Sequence, residues 1–189
     1  MVDDVREWQV AGALVESEGC LLLVRNQRRG GHEDWSTPGG VIDDDDGSVL
    51  DGLTREVEEE TGLRVTRWEG PVYEVEAVAP DLGWIMRCEV HRAVAYEGDV
   101  RVADPDGIVV EAAFVPAGDA ATVLERCHPW VGEPLAEWLA EPWGPEASRR
   151  FCYEVHGLTR AAFEVVRTDR TGRAAPAPPH ARRERAAGD

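Results

Sequence analysis

The sequence predicts an α/β domain built as a three-layered α/β/α sandwich, and three observations support this fold class. The chain contains strand-like apolar runs, one strongly patterned helix at residues 49–61 that lies between these runs, and further short helical segments late in the chain. Of the 189 residues, 43% are hydrophobic and 30% charged, which fits one globular domain with a sizeable core. We expect this domain to occupy residues 1–167.

The remaining elements are predicted from apolar runs and the turn residues between them. The expected strands are residues 8–15, 20–25, 64–79, 84–96 and 108–116. Two short helices are expected at residues 119–126 and 133–140, the second with Pro134 in its first turn. A closing hairpin is expected at about residues 150–167, and the Pro/Ala/Arg-rich residues 168–189 predict a disordered tail.

Charge and hydropathy exclude several classes of partner. The formal net charge of -17 argues against a nucleic-acid polymer, because phosphate backbones attract basic surfaces. A small phosphorylated ligand stays compatible with this charge if a divalent cation neutralises the local field. No apolar run approaches the roughly 18 residues of a membrane span, and the first residues lack a secretory signal. The sequence therefore predicts no membrane partner and a cytoplasmic location.

The central helix carries clear start and stop signals. Ser48, followed three residues later by Asp51, predicts a capping-box-like start, and Gly62 is placed to end the helix. Apolar side chains spaced i, i+3 and i+7 form the stripe that would dock it on a core: Leu50, Leu53 and Val57.

Three carboxylates share another face of this helix. Glu56, Glu59 and Glu60 are spaced i, i+3 and i+4, so they lie within about one turn of each other and repel unless a cation sits among them. Clustered carboxylate oxygens suit Mg²⁺ or Mn²⁺. A solvated helix face is the alternative for any charge run. The Gly-Gly loop before the helix, together with Arg55 and Gly62, favours a cation site instead.

These residues resemble a known motif. Residues 55–63, REVEEETGL, match every fixed position in the second half of the Nudix box, Arg-Glu-aliphatic-x-Glu-Glu-x-Gly-aliphatic, and Pro38-Gly39-Gly40 is similar to the loop before it. The chain is thus identified as a member of the Nudix (MutT-like) hydrolase superfamily, over about residues 8–140 with the box at about 40–63. The resemblance implies a mixed sheet and a loop-helix-loop catalytic motif. The loop is one residue longer than the family spacing, and Gly47 stands where the family carries a glutamate; Asp46 is the nearest substitute acid.

The resemblance also implies a reaction and roles for the acids. It implies Mg²⁺-dependent cleavage of a diphosphate bond in a nucleoside diphosphate linked to another moiety, with Mn²⁺ as a second possible metal. Glu59 and Glu60, with the Gly39 carbonyl, would hold the metal, and Glu56, oriented by Arg55, would act as base or further ligand. Glu111, which precedes Phe114-Val115, resembles an acid that often serves as a metal ligand or base in this family.

Substrate contacts are expected from two residue types. Arg25 and Arg28 could bind phosphate oxygens, with solvated loop charge as the alternative. Trp35, Trp84 and Trp130 could stack on a nucleobase, with core packing as the alternative. A nucleotide or nucleotide-sugar binding domain without catalysis and a protein-interaction module stay open as other functions, and a homodimer is implied by analogy alone.

Overall fold

The computed structural model describes residues 5–28, 31–125, 127–159 and 162–169, which form two sheets and three α-helices. The six-stranded sheet contains β1 (Arg6–Leu14), β5 (Gly39–Val41), β6 (Arg64–Ala79), β7 (Trp84–Glu97), β9 (Arg149–His156) and β10 (Glu164–Thr168). The four-stranded sheet contains β2 (Glu16–Ser17), β3 (Cys20–Gln27), β4 (Glu33–Ser36) and β8 (Val109–Pro116). The helices are α1 (Val49–Thr61), α2 (Ala117–Leu124) and α3 (Pro129–Ala140).

The larger sheet is mixed and has the strand order β10-β9-β6-β7-β1-β5. Strand β1 runs parallel to β7, and β6 runs parallel to β9, whereas the other neighbouring strands are antiparallel. At one edge, Gly39 of β5 pairs with Gly12 of β1. This pairing holds the backbone just before the α1 loop against the sheet.

Two apolar core clusters lie between the layers of the fold. On one side, Leu53 and Val57 of α1 pack in a cluster with Ala11 and Ala13 of β1. Helices α2 and α3 contribute to the other cluster, whose large members include Trp138. Because alternate residues of a strand face opposite sides of a sheet, one strand can serve both layers. The α/β/α sandwich with a mixed sheet is therefore confirmed.

Helix α1 has the predicted bounds, but α3 does not. The helix expected at residues 133–140 begins instead at Pro129, so that Pro134 lies inside it. Pro129 suits this start because its fixed φ is helical and the first turn needs no N–H donor from it. The carbonyl of His128 accepts from the N–H groups of Val131 and Gly132, which closes the first turn.

Two short strands lie between β3 and the α1 loop, where the sequence predicts none. Residues 33–36 pair with β3 and residues 39–41 pair with β1, so backbone groups that a loop would leave to water are satisfied by strands. Strands β9 and β10 pair antiparallel within the expected hairpin range. From residue 170 on, the predicted tail lies outside the described residues. Within the described part of the chain, no helix has the length and apolar character needed to cross a membrane.

Candidate active site

The acidic helix α1 is fixed at both ends by local sequence. The Ser48 hydroxyl oxygen accepts from the backbone N–H of Asp51 over 3.1 Å and donates to its carboxylate over 2.7 Å. At the other end Gly62 adopts φ 75°, a left-handed conformation that glycine accepts without strain, and its N–H donates to the Glu58 carbonyl. The helix therefore holds its acidic face in a defined orientation.

A glycine loop lies against two of the three acids. The backbone N–H of Gly39 donates to Glu60 Oε2 over 2.8 Å. A side chain is excluded at Gly39, because its φ is 138° and a Cβ would collide with the Ala11 carbonyl. A Cβ on Gly40 would lie 2.5 Å from Glu56 Oε2. The Gly-Gly pair thus permits the close approach of backbone and carboxylates.

Arg55 joins the helix acids to the preceding loop. Its Nη1 donates to Glu56 over 2.8 Å and to Glu59 over 3.3 Å. Its Nε and Nη2 donate to the two carboxylate oxygens of Asp46 over 3.2 and 3.0 Å. Asp46 also accepts from the backbone N–H of Asp43 over 2.9 Å. Asp46 therefore supports the loop at the point where the family's glutamate is replaced by Gly47.

Burial and neighbouring charges shift the pKa values of the acids in opposite directions. Burial raises the pKa of Glu60 to about 8, and the Gly39 hydrogen bond opposes this only in part. Burial also raises the pKa of Glu56, against the lowering effect of Arg55. The hydrogen bonds from Arg55 hold the pKa of Asp46 below its ordinary value. A buried carboxylate with one N–H donor is the environment that a bound cation would stabilise.

The three glutamates of α1, Arg55 and the glycine pair line one open cleft of about 490 Å³, which we call the acidic cleft. Besides the predicted residues, its lining includes Asn26, Asp104 and Asp106. The loop that carries both aspartates is tied to the end of α1, because Ala103 N–H donates to the Glu59 carbonyl over 3.2 Å. In the sequence, residues 104–107, Asp-Pro-Asp-Gly, indicate only a turn. No local pattern connects this turn with a helix more than forty positions earlier.

Other predicted site residues lie in two different places. Arg28 lines the acidic cleft and also a neighbouring cleft that contains Trp35 and Trp84. Arg25 and Glu111 line neither of these two clefts. Instead, Arg25 Nε donates to Glu111 Oε2 over 2.8 Å, and its Nη1 donates to Glu33 over 2.8 Å. The structure therefore brings Glu111 to a surface ion pair rather than to the acids of α1.

The acids are not arranged as a finished metal site. Among the described residues, no three His, Cys, Asp or Glu side chains converge closely enough to hold a metal ion. Glu56 and Glu59 turn their oxygens to Arg55, and Glu60 bonds to Gly39. The donor set still suits a hard divalent cation, since it consists of carboxylate oxygens beside a backbone loop.

Comparison with known proteins agrees with this geometry. The model of the NUDIX domain matches residues 6–139, and the chain belongs to this family. The search of curated proteins found no match.

Solved structures share the fold at low sequence identity. The chain is similar to a mutator MutT protein from Bacillus halodurans, with 22% identity and a TM-score of 0.62, covering 84% of this chain and 94% of that one. A MutT NUDIX hydrolase from Burkholderia pseudomallei has 22% identity and a TM-score of 0.55, covering 73% and 99%. An ADP compounds hydrolase has 17% identity and a TM-score of 0.56, covering 70% and 72%.

Proposed function

We propose that the protein is a Mg²⁺-dependent Nudix pyrophosphohydrolase. It cleaves a diphosphate bond in a nucleoside diphosphate linked to another moiety, such as a nucleoside triphosphate, an oxidised nucleotide or a sugar nucleotide, by in-line attack of water. One observation carries this proposal: the three glutamates of the box line an open cleft, packed against the glycine loop and Arg55.

The metal would be held by Glu59 and Glu60, with the Gly39 carbonyl and Glu56 as further candidates. The fit rests on their chemistry, since Glu60 is a buried carboxylate with a raised pKa beside other carboxylates. When bound, Mg²⁺ supplies charge neutralisation for phosphate oxygens and lowers the pKa of a water ligand; Mn²⁺ has the same ligand preference. We leave Glu111 out of this set because it is paired with Arg25 on the surface.

Residues of the chain itself would then position the attacking water and remove its proton. Glu56 lies beside Arg55, which fixes one of its oxygens at 2.8 Å. Its pKa is raised by burial, which brings it closer to that of a base working near neutral pH. Asp46 holds Arg55 from the other side, so the guanidinium stays fixed while Glu56 accepts a proton or serves as a further ligand. Arg28 offers a cation for phosphate oxygens at the edge of the cleft.

The names of similar proteins agree with this substrate class. One similar structure is described as an ADP compounds hydrolase, and others as MutT proteins. At such low identity these names do not select one substrate. The cytoplasmic location and the homodimer stay predictions.

A second candidate is a nucleotide-binding domain without catalysis. Two observations favour it: Arg55 occupies oxygens of Glu56 and Glu59, and Gly47 replaces an acid of the family's motif. A domain that only binds would tolerate both features. The survival of all three helix glutamates favours the hydrolase.

One experiment separates the two candidates. Nucleoside triphosphates, dinucleotides and nucleotide sugars are incubated with the protein, with Mg²⁺ or with a chelator, and the release of phosphate, pyrophosphate and nucleoside monophosphate is measured. The hydrolase requires metal-dependent turnover of at least one substrate class. If the folded protein binds a nucleotide but turns over none of these substrates, the hydrolase proposal fails and the non-catalytic binding domain is supported.

A further inference from the structure

Polar side chains are rare in the interior of this fold, and one of them lies at the acidic cleft. Among the described residues, four polar or charged side chains are buried: Asn26, Asp34, Thr61 and His91. Asn26 is only 3% exposed, yet it lines the acidic cleft. Burying an amide is unfavourable unless its hydrogen-bonding groups find partners. A buried amide in the wall of a cleft therefore points to a partner that enters the cleft.

Two features of the fold hold Asn26 in this place. It lies on β3, and the pairing of β3 with β8 shifts register between Arg25 and Asn26. Such a bulge bends a strand and re-aims the side chains beside it. On the other side of β3, the amide Nδ2 of Asn26 donates to Ser36 Oγ of β4 over 3.0 Å. The amide is therefore fixed by the neighbouring strand.

The Asn26 amide uses only part of its hydrogen-bonding capacity. An asparagine side chain carries two N–H donors and one oxygen with two lone pairs. Within the part of the chain that the structure describes, this side chain makes one hydrogen bond, the one to Ser36. In the same part of the chain, no fully buried side-chain nitrogen or oxygen lacks a partner. Asn26 Oδ1 must therefore reach the space of the acidic cleft.

Ser36 supplies the opposite hydrogen-bonding character. Its hydroxyl oxygen accepts from Asn26, so its own hydrogen is available to donate. Ser36 lines the acidic cleft, the neighbouring cleft and a smaller apolar chamber of about 240 Å³, so it lies where these three spaces meet. Asn26 and Ser36 thus present one acceptor and one donor side by side, and we call them the amide-hydroxyl pair.

This combination determines which group of a ligand the pair can bind. Phosphate oxygens are acceptors, so they cannot bond to an amide oxygen. A hydroxyl group both donates and accepts through one oxygen, so it can bond to Asn26 Oδ1 and to the Ser36 hydroxyl together. In a substrate whose phosphates lie at α1, the hydroxyl groups nearest to them belong to the sugar that adjoins the phosphates.

We propose that the amide-hydroxyl pair is a specificity-determining element that hydrogen-bonds a sugar hydroxyl of the substrate next to its phosphates. This inference rests on the proposed function, because that function places the phosphates at α1. The hydroxyl belongs to the ribose of the nucleoside or to the second sugar of a sugar nucleotide, and the chemistry of recognition is the same. A sugar without this hydroxyl would leave both groups of the pair without a partner, so the protein would bind it less tightly.

Binding of sugar monophosphates tests the proposal without turnover, because these compounds contain no diphosphate bond. With Mg²⁺ present, calorimetry compares AMP with 2′-deoxy-AMP and 3′-deoxy-AMP, and glucose 1-phosphate with 2-deoxyglucose 1-phosphate. We expect at least one deoxy compound to bind about 10-fold more weakly than its parent, the size of one lost hydrogen bond in a partly closed site. The compound that shows the loss identifies the sugar. Equal affinity of every deoxy compound and its parent, or no binding of any compound, would overturn the proposal.

Variants assign the discrimination to the pair. Asn26→Leu and Ser36→Ala should each abolish the preference for the parent compound, whereas Ser36→Thr, which keeps the hydroxyl, should retain it. Gln27→Ala is the matched control, since it removes an exposed amide from the next position of β3 that lines none of the three cavities. Thermal melts identify variants that fail to fold, and if Asn26→Leu is one of them, Ser36→Ala decides.

The ratio of the two affinities separates recognition from a structural role. A residue that only supports the fold would weaken the binding of parent and deoxy compound equally and leave their ratio at the wild-type value. An unchanged ratio in folded Asn26→Leu and Ser36→Ala would therefore contradict the proposal.

This test and the test of hydrolysis fail separately. If the pair discriminates the hydroxyl but no diphosphate is hydrolysed, the assignment of the pair stands and the hydrolase proposal fails. If substrates are hydrolysed while the variants keep the wild-type ratio, the hydrolase stands and the assignment of the pair fails.

Discussion

Two arginines of this molecule each gather carboxylates, but the carboxylates differ in burial. Arg55, at the wall of the acidic cleft, bonds to Asp46 and Glu56, whose side chains are 11% and 18% exposed, and also to the more exposed Glu59 and Asp43. Arg25 bonds to Glu33 and Glu111, whose side chains are 45% and 46% exposed. Partial burial strengthens electrostatic interactions, whereas exposed ion pairs contribute little. The comparison indicates that the burial of the carboxylates around an arginine, more than the composition of the cluster, favours one cluster as the candidate functional site.

The largest expected difference between the two clusters is in catalysis by their acids. Glu59→Gln and Glu60→Gln should each lower kcat by about 100-fold or more, because each substitution removes a charged metal ligand of the proposed site. Glu111→Gln, which neutralises an acid of the surface cluster, should change kcat by less than about twofold. Steady-state hydrolysis with saturating Mg²⁺ measures both. A loss for Glu111→Gln equal to that for Glu59→Gln would restore the family-based role of Glu111 and break the comparison.

Substitution of the two arginines should give the next largest difference in kcat. Arg55→Ala releases Glu56 and Glu59 and leaves Asp46 without its main partner, so kcat should fall by about 10- to 100-fold, as for other groups that orient ligands. Arg25→Ala removes two exposed ion pairs and should leave kcat and the melting temperature nearly unchanged. Steady-state hydrolysis measures the change in kcat, and thermal melts measure the change in melting temperature. Equal effects of the two substitutions would contradict the expectation that the arginine with partly buried carboxylate partners matters more.

A smaller effect is expected from the loop aspartate that holds Arg55. Asp46→Asn keeps the shape but removes the charge, so kcat should drop by about 10-fold or less while KM changes little. Asp45→Asn is the matched control, since Asp45 is exposed in the same loop. If the two variants behave alike, Asp46 has no role in positioning Arg55.

The smallest expected effect is the pH dependence of stability in metal-free protein. The pKa of Glu60 is raised from 4.5 to about 8, so its contribution to stability is fully present below about pH 4.5 and is lost as pH rises through about 8. In a chelator, Glu60→Gln should therefore gain melting temperature relative to the wild type as the pH is raised from 5 to 9. Thermal melts across this range measure the difference. A difference that stays constant with pH would mean that Glu60 titrates normally.

Much of the acidic helix could be predicted from sequence because its information is local. The cap at Ser48, the stop at Gly62 and the spacing of the glutamates all lie within fifteen residues, and α1 has the expected bounds. Asp104 and Asp106 could not be found this way, because only the tertiary fold brings their turn to α1. The start of α3 could not be predicted either, since Pro129 and Pro134 both suit a first turn.

The claim that the acids of α1 form a cation site is tested most directly by metal binding itself. Mn²⁺ is titrated into the wild type, Glu59→Gln, Glu60→Gln and Glu111→Gln, and free Mn²⁺ is measured by electron paramagnetic resonance. We expect the wild type and Glu111→Gln to bind Mn²⁺ with similar affinity, and the two α1 variants to bind about 10-fold more weakly or worse. Equal Mn²⁺ affinity in all four proteins would contradict the account.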